Sequence, residues 1–275
     1  MKTYLKTKDY AYSQQEFTLL YDEELEMLCT HPAPSDIEKY YESEGYISHT
    51  DASTSFKDRL YQWIKKYNLR RKEQLLRRYA PVDNTVLDIG AGTGSFVKYL
   101  LQKGWVAEGV EPNPKARSIA AEKGLTLHAS PDQFQDRVFG SITLWHVLEH
   151  LPDLKAQIRK INSLLDKQGI VFVAVPNYRS YDAKHYGKYW AAYDVPRHLW
   201  HFSETSVKML FEREGLKYMN RHPMVFDAFY IALLSEKYKT GKANFVKALW
   251  LGLRSNLQAR RNGQYSALLY VFKKS

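Results

Sequence analysis

Three glycines at every second position follow a short apolar run that contains an acidic residue. The run is 86–89, with Asp88 inside it, and the glycines are Gly90, Gly92 and Gly94. The pattern predicts a strand, a tight turn and a helix, because glycine lets the backbone turn sharply and lie against a ligand. Glu111 ends the next apolar strand, 105–110, at the distance where a carboxylate binds ribose in a mononucleotide-binding βαβ unit. The sequence therefore predicts a nucleoside-cofactor site.

Asp88 and the glycine spacing distinguish between two classes of cofactor. Nicotinamide and flavin dehydrogenases carry G-x-G-x-x-G, whereas this chain reads G-x-G-x-G. A carboxylate beside the turn suits an ammonium or sulfonium ligand and would repel a pyrophosphate. The pattern resembles motif I of the class I S-adenosylmethionine-dependent methyltransferases. That resemblance implies S-adenosylmethionine as cofactor and a set of contacting residues: Tyr46, Asp88, Gly90, Ala91, Gly92, Gly94, Glu111, Pro112, Ser130 and His146.

Within this set the expected roles differ. Asp88 and the glycines hold the methionine part of the cofactor, and Glu111 takes the ribose hydroxyls. Ser130 follows a predicted third strand, 125–129, and lies near the adenine, whereas His146 borders the sulfonium.

A third motif, 142–152, reads ITLWHVLEHLP and precedes an amphipathic segment, a glycine-started strand and Pro-Asn. It resembles the strand-four edge of the ubiquinone-biosynthesis-like methyltransferases, and the resemblance covers about residues 80 to 220. Gly140 departs from that group, which usually has Asp after the Phe. The resemblance implies an α/β fold: a doubly wound, seven-stranded, mostly parallel, Rossmann-like sheet.

The segment from His146 to His150 also spells H-x-x-E-H, a zinc-peptidase pattern. That chemistry needs both histidines on one face of a helix, whereas this motif begins at a strand end and Pro152 follows. We therefore predict neither a peptidase nor a resident metal. Related quinone-precursor O-methyltransferases use a similar E-x-x-E-H segment for a divalent metal. Metal assistance at His146, Glu149 and His150 stays open, as does a buried, hydrogen-bonded Glu149–His150 pair.

A long aromatic segment, 177–203, follows the fifth strand at the sheet edge where open α/β folds bind ligands. Its aromatic residues suit a flat or apolar acceptor. We expect Tyr193, Arg197 and His201 to bind the substrate, and His150 or His198 to remove its proton. A packed structural loop is the alternative. Ser203, with Ser206, is expected to cap the helix that follows.

Length and composition fit one enzyme domain with additions. The chain has 275 residues, a net charge of +10 and a single cysteine, Cys29, which excludes an intrachain disulfide and suits a reducing compartment. The start lacks the apolar core of a signal peptide, and no run of eighteen apolar residues occurs, so we expect a cytoplasmic protein. The predicted divisions are an N-terminal extension, the methyltransferase core, a helical insert and a closing strand: 1–55, 56–224, 225–263 and 264–275.

The N-terminal extension alternates polar and apolar residues over 6–30 and ends in T-x-P-x-P. It resembles the zinc-ribbon head of some methyltransferases but lacks the cysteine pairs, so any ribbon here must hold without zinc. The tyrosine-rich segment 39–49, which includes Tyr46, is expected to fold over the cofactor. Tyrosines that pack on the core are the alternative.

The C-terminal region predicts strands at 216–222 and 264–273 around two helices, 226–238 and 244–261. In the second helix Phe245, Leu249, Leu253 and Leu257 recur every four residues beside basic side chains. Such a helix can lie on an anionic membrane. We favour packing on its own domain, as a wall of the acceptor pocket. No nucleic acid is expected, because no RNA- or DNA-binding module is recognisable, and the oligomeric state stays open.

Together these features predict S-adenosylmethionine-dependent methyl transfer to the O, N or C nucleophile of a small aromatic or apolar acceptor. Two other functions fit the same fold. One is a catalytically silent cofactor-binding protein, and the other is a membrane- or partner-docking protein.

Overall fold

The glycine-rich stretch follows a strand and precedes a helix, as its sequence predicts. The computed structural model describes residues 1–34, 36–40, 56–80 and 83–275, with the backbone alone at 38 and 56–61. In this part of the chain the strands are β1 (Lys2–Lys8), β2 (Glu16–Asp22), β3 (Met27–His31), β4 (Thr85–Ile89), β5 (Val106–Val110), β6 (Phe139–Trp145), β7 (Leu165–Pro176), β8 (Trp200–His201), β9 (Leu216–Pro223) and β10 (Ala267–Lys274). The α-helices are α1 (Phe56–Tyr79), α2 (Ser95–Gln102), α3 (Pro114–Glu122), α4 (Leu154–Ser163), α5 (Tyr181–Tyr186), α6 (Glu204–Arg213), α7 (Asp227–Thr240) and α8 (Phe245–Asn262).

The strand before the glycines, β4, lies inside a six-stranded, mostly parallel sheet with the order β5–β4–β6–β7–β10–β9. It pairs in parallel with β5 and β6, so that Ile89 is level with both Val110 and Leu144. The chain passes first to one side of β4 and later to the other. The strand order therefore reverses at β4, and open α/β sheets bind ligands at the carboxyl ends of strands at such a point. The predicted fold class is confirmed.

The predicted third strand, 125–129, is reduced to one bridge in the described structure. His128 pairs in parallel with Val110. The hydrogen bonds are 2.9 Å from His128 N to Gly109 O and 2.8 Å from Glu111 N to His128 O. The pairing stops there because Ser130 caps a short 3-10 helix that begins at Pro131, which has no N–H to donate. The sheet in the described residues therefore has six strands, and the bridge at His128 adds one pairing beside β5.

The chain forms two compact units that alternate along the sequence. The first unit consists of Met1–Ser43, His146–Ile158 and Val173–Phe272, and the second unit consists of Glu44–Trp145, Arg159–Phe172 and Lys273–Ser275. The domain boundaries drawn from the sequence after residues 55, 224 and 263 stay a prediction. Among the described helices, none is both long enough and apolar enough to cross a membrane.

In the first unit the N-terminal strands form an antiparallel sheet with the order β1–β2–β3–β8. The turn after β1 is organised by Asp9, whose buried carboxylate accepts hydrogen bonds from the N–H groups of Ala11, Tyr12 and Ser13 at 2.8–3.1 Å. The Arg197 guanidinium adds an ion pair at 3.2 Å. Hydrogen bonds and an ion pair thus hold this turn without cysteine ligands.

A second buried carboxylate, Asp182 of α5, ties distant segments of the first unit together. It accepts hydrogen bonds from Trp190 Nε1 at 2.7 Å, from Ser255 Oγ at 2.7 Å and from Ser266 Oγ at 2.6 Å. The aromatic segment, α8 and the approach to β10 therefore converge on one carboxylate. A buried charge with three donors is well satisfied, which explains its place in an otherwise apolar region.

The two C-terminal helices form where the sequence predicts them, but α8 packs by an unexpected face. Its buried residues are small or modest in size: Ala248, Leu251, Gly252, Ser255 and Ala259. A Cβ at Gly252 would lie 2.5 Å from Cδ1 of Phe229 in α7, so this glycine sets a close approach of the two helices. The residues repeating every four positions are at least half exposed: Phe245, Leu249, Leu253 and Leu257. α8 therefore packs on its own unit, as expected, but through its small residues and not through the apolar repeat.

This packing predicts unequal losses of stability for two substitutions to valine on α8. Gly252→Val should lower the free energy of unfolding by about 1–3 kcal/mol, because its side chain would overlap the Phe229 ring. Leu249→Val, on the exposed face, should change it by less than about 0.5 kcal/mol. Urea unfolding of both variants tests the orientation of α8, and equal losses would contradict it.

Candidate active site

In the second unit the turn after β4 is anchored to the end of β5. The amides of Gly90 and Ala91 both donate to the Val110 carbonyl, at 2.8 and 2.9 Å. The three glycines have φ values of 73°, 55° and 73°, in the left-handed region that side chains with a Cβ rarely adopt. The glycine spacing in the sequence is therefore a backbone requirement of this turn.

Glu111 joins this turn to the start of α3. One carboxylate oxygen accepts the Gly92 N–H at 2.8 Å, and the other accepts the Asn113 N–H at 2.9 Å. An ionised carboxylate offers about four acceptor positions, so Glu111 retains capacity for the hydroxyl groups of a ligand.

The space beside the turn differs sharply between two of its glycines. A Cβ at Gly94 would lie 2.7 Å from Leu125 Cδ1, whereas a Cβ at Gly92 would have no neighbour within 4 Å in the described structure. Gly94 thus serves helix–sheet packing. Gly92 borders open space beside the Glu111 carboxylate, which suits a ligand that must approach the backbone.

Asp88 is buried within this unit, with 2% of its surface exposed. Burial raises the pKa of its carboxyl to about 6, against the opposing effects of the Thr143 hydroxyl and the Lys72 ammonium. Thr143 Oγ1 donates to Asp88 Oδ1 at 2.5 Å. Asp88 therefore carries negative charge at neutral pH at a carboxyl end of the sheet.

The other predicted cofactor residues have local partners or lie outside this description. Ser130 Oγ donates to Asp132 Oδ2 at 2.8 Å and caps the 3-10 helix. The Pro112 carbonyl accepts from Arg117 Nη1 at 2.7 Å. Tyr46 lies outside the described residues. The assignment of all these residues to the cofactor stays a prediction.

In the first unit the histidines of the third motif form a cluster with a histidine of the aromatic segment. His146 has a left-handed backbone, with φ 58°. Its Nε2 lies 2.9 Å from Asp227 Oδ2, and its Nδ1 lies 3.5 Å from Glu149 Oε1. Burial alone would lower the pKa of His146, but the two carboxylates raise it to about 10. His146 is therefore an imidazolium at neutral pH, held between two anions.

Glu149 is the buried anion of this cluster, with 1% exposure. Burial would raise its pKa, yet the adjacent His146 imidazolium holds the pKa below its ordinary value. Within the described residues neither of its carboxylate oxygens has a hydrogen bond of normal geometry. Glu149 thus stays ionised beside the His146 imidazolium.

The rings of His150 and His198 each face a backbone carbonyl with the Nδ1 atom. His150 Nδ1 lies 3.0 Å from the Arg197 carbonyl and His198 Nδ1 lies 2.9 Å from the Ala192 carbonyl. Because a carbonyl only accepts, both Nδ1 atoms must carry the proton, which leaves Nε2 as the basic atom of each neutral ring. The ring centroids lie 4.6 Å apart.

Glu149, His150 and His198 each offer one ligand atom, and these atoms lie within 4.8 Å of one another. Imidazole nitrogen and carboxylate oxygen are donors that divalent transition metals accept. These residues could hold such an ion. His146, one of the three residues considered from the sequence, instead pairs with Asp227.

The three predicted substrate-binding residues are buried in the walls of the first unit. Tyr193, Arg197 and His201 are only 3%, 3% and 4% exposed. Arg197 donates to both oxygens of Asp194 and to Asp9, and His201 Nε2 lies 3.1 Å from Thr30 Oγ1. The adjacent cavity measures about 10 Å³, the space of one water. Arg197 and His201 therefore have structural partners, and the assignment of these three residues to the substrate stays a prediction.

A family model described as "Methyltransferase domain" matches residues 59–220, more than half of the chain. The chain belongs to this methyltransferase family. The prediction of a class I S-adenosylmethionine-dependent methyltransferase is confirmed.

Individual relatives match part of this methyltransferase. A "Ubiquinone biosynthesis O-methyltransferase" of Haemophilus ducreyi is 30% identical over 106 residues, which are 34% of this chain and 45% of that protein. An "Uncharacterized methyltransferase" of Anoxybacillus flavithermus is 34% identical over 110 residues, 36% of this chain and 52% of that protein. The chain thus spans about half the length of the curated relatives it matches.

One solved structure extends the likeness over most of the fold. The magnesium protoporphyrin IX methyltransferase from Synechocystis PCC 6803 with bound SAH covers 87% of this chain and 98% of its own, with a TM-score of 0.56. At 14% identity the similarity shows the fold alone.

Sequence reasoning missed three residues that set the charges of these two sites. Thr143 and Lys72 both stabilise the Asp88 carboxylate in the second unit. Asp227, in the first turn of α7, pairs with His146 across 81 residues of sequence. Thr143 could have been found from the sequence, because it is a polar residue inside an apolar strand. No local pattern identifies Asp227 or Lys72.

The His146 site predicts a specific dependence of stability on pH. The folded pKa is raised from the ordinary 6.5 to about 10, so the stabilisation is full below pH 6.5 and is lost as the pH rises toward 10. Asp227→Asn removes one of the two anions and should flatten this loss. Urea unfolding at several pH values measures it, with the exposed Asp136→Asn as control. An unchanged slope in Asp227→Asn would contradict the assignment.

Proposed function

We propose that this methyltransferase binds S-adenosylmethionine at the glycine turn and transfers its methyl group to the O, N or C nucleophile of a small aromatic or apolar acceptor. The observation that carries the proposal is the Gly92 amide held by Glu111 beside open space. Family membership supports the cofactor. The acceptor class rests on the aromatic composition of the segment 177–203.

The residues of the second unit suit the cofactor chemically. When bound, S-adenosylmethionine supplies an activated methyl group on a sulfonium. Open space at Gly92 accommodates a ligand against the backbone, and Glu111 keeps acceptor capacity for ribose hydroxyls. Asp88 adds negative charge, which favours a cationic ligand.

For the acceptor's proton, His198 is the stronger candidate of the two predicted bases. Burial lowers the pKa of His150 to about 4, which makes it a weak base at neutral pH. His198 Nε2 lies 4.0 Å from Asp194 Oδ2, a carboxylate that would stabilise the imidazolium after proton transfer. Arg197 holds the pKa of Asp194 below its ordinary value despite burial, so this carboxylate stays ionised.

Calorimetry with S-adenosylhomocysteine tests the cofactor site. Glu111→Ala should weaken binding by about 1–3 kcal/mol, because charge-assisted hydrogen bonds and the anchor of Gly92 are lost. Glu108→Ala, which removes a carboxylate from the same strand β5, is the matched control and should bind normally. Binding of a nicotinamide dinucleotide instead of either sulfur nucleoside would reject the proposal.

Turnover tests the catalytic assignment. Radiolabelled S-adenosylmethionine, offered with panels of phenols, amines and carboxylic acids, identifies the acceptor class. With that acceptor, His198→Gln should lower kcat on the order of 100-fold or more and remove the limb of the pH–rate profile that belongs to a base. His185→Gln, an exposed histidine of α5, is the control. Equal rates for the two variants would exclude His198 as the base, and cofactor binding without turnover on any panel would favour a catalytically silent protein.

A further inference from the structure

The face of α8 that points away from the rest of the first unit carries large apolar side chains. Six of them are exposed by 50% to 81%: Phe245, Val246, Leu249, Trp250, Leu253 and Leu257. We call this set the α8 stripe. Scattered exposed leucines are ordinary, but a contiguous patch of this size on a folded protein marks an interaction surface.

At least half of each stripe side chain is exposed, so most of the stripe surface lies outside the contact of α8 with its own unit. That contact uses the opposite face, where Ala248, Gly252 and Ser255 approach α7 and Asp182. Helix geometry separates the two faces, because residues three and four apart share a side. The stripe is therefore available without any rearrangement of the fold.

Positive charge surrounds the stripe. Residues 237–275 contain nine lysines and arginines and no aspartate or glutamate. Lys242, Arg254 and Arg261 are exposed on or beside α8. Arg254 lies 5.1 Å from the centre of the Trp250 ring, so cation and aromatic stripe are adjacent. An apolar stripe with Trp, Phe and Leu beside a basic flank is the composition of helices that lie in a bilayer interface.

We propose that α8 docks this methyltransferase on an anionic lipid bilayer, with the α8 stripe in the headgroup–acyl boundary and the basic flank on acidic headgroups. Charge argues against a second copy as the occupant. A twofold interface places the same patch on itself, and each copy would bring a wholly basic region to an equally basic one. Acidic lipid headgroups complement both features of the helix, independently of the proposed reaction.

Vesicle sedimentation of the full chain tests the docking. Wild type should pellet with vesicles of phosphatidylcholine and phosphatidylserine at low salt, pellet less as salt rises, and stay in solution with phosphatidylcholine alone. Failure to pellet with the anionic vesicles at low salt would overturn the proposal. Concentration-dependent dimers, abolished by substitutions in the stripe and without vesicle binding, would assign the stripe to a second copy instead.

Matched variants separate the two contributions. Lys242→Gln, Arg254→Gln and Arg261→Gln together should weaken vesicle binding on the order of 100-fold, since each basic residue near an anionic surface contributes about fivefold. Its control is the combined substitution to Gln of three basic residues exposed elsewhere: Lys155, Lys167 and Lys217.

The stripe variant combines Leu249→Gln, Trp250→Gln and Leu253→Gln and should also lose vesicle binding at least tenfold. Its control carries Gln at three similarly exposed apolar positions: Leu101, Val138 and Met219. Because all of these positions are exposed, thermal unfolding should be nearly unchanged and verifies that each variant folds. Equal vesicle binding by the stripe variant and its control would overturn the proposal.

Discussion

The cofactor half of the fold depends on one carboxylate that holds two backbone amides. Glu111 accepts the Gly92 and Asn113 N–H groups, which connects the glycine turn to the start of α3. The parallel register of β4 with β5 brings the two segments level, and the Val110 carbonyl accepts two further amides from the turn. A turn whose three glycines adopt left-handed backbone angles is thus fixed by three hydrogen bonds to the Val110 carbonyl and the Glu111 carboxylate. The same carboxylate that suits a ribose therefore also organises the surface on which the cofactor would lie.

The first unit uses charge in a different way. Its cluster contains a buried carboxylate, Glu149, with imidazoles on several sides, and His146 and His150 differ in protonation. His146 is cationic between two anions, whereas burial keeps His150 neutral. Backbone carbonyls fix the tautomers of His150 and His198. Histidines close together thereby differ in charge and in basicity. Such shifted pKa values are typical of sites that carry out acid–base chemistry.

The sequence was informative wherever the constraint is local. Glycine at alternate positions reports the positive φ of the turn after β4, apolar runs report the buried strands β6, β7 and β10, and Ser203 with Ser206 forms the expected capping box of α6. The family and its cofactor followed from these motifs. What could not be predicted depends on contacts between segments far apart in the chain.

Two examples show why the remainder required coordinates. No local pattern indicates that the Arg197 guanidinium is hydrogen-bonded to Asp194 and to Asp9, which lies 188 residues away. The four-residue apolar repeat of α8 resembled a packing face, yet glycine and serine on the opposite side allow a closer contact with α7. Periodicity reveals that a helix has two faces, whereas tertiary shape decides which of them is covered.

The buried Asp182 carboxylate gives the first unit a mechanical property. Because it is hydrogen-bonded to Trp190 of the aromatic segment and to Ser255 of α8, neither can shift without breaking a charge-assisted bond or moving the other. A displacement of α8 and a displacement of the Trp190 segment are therefore resisted by the same carboxylate, which acts as a cross-link between them.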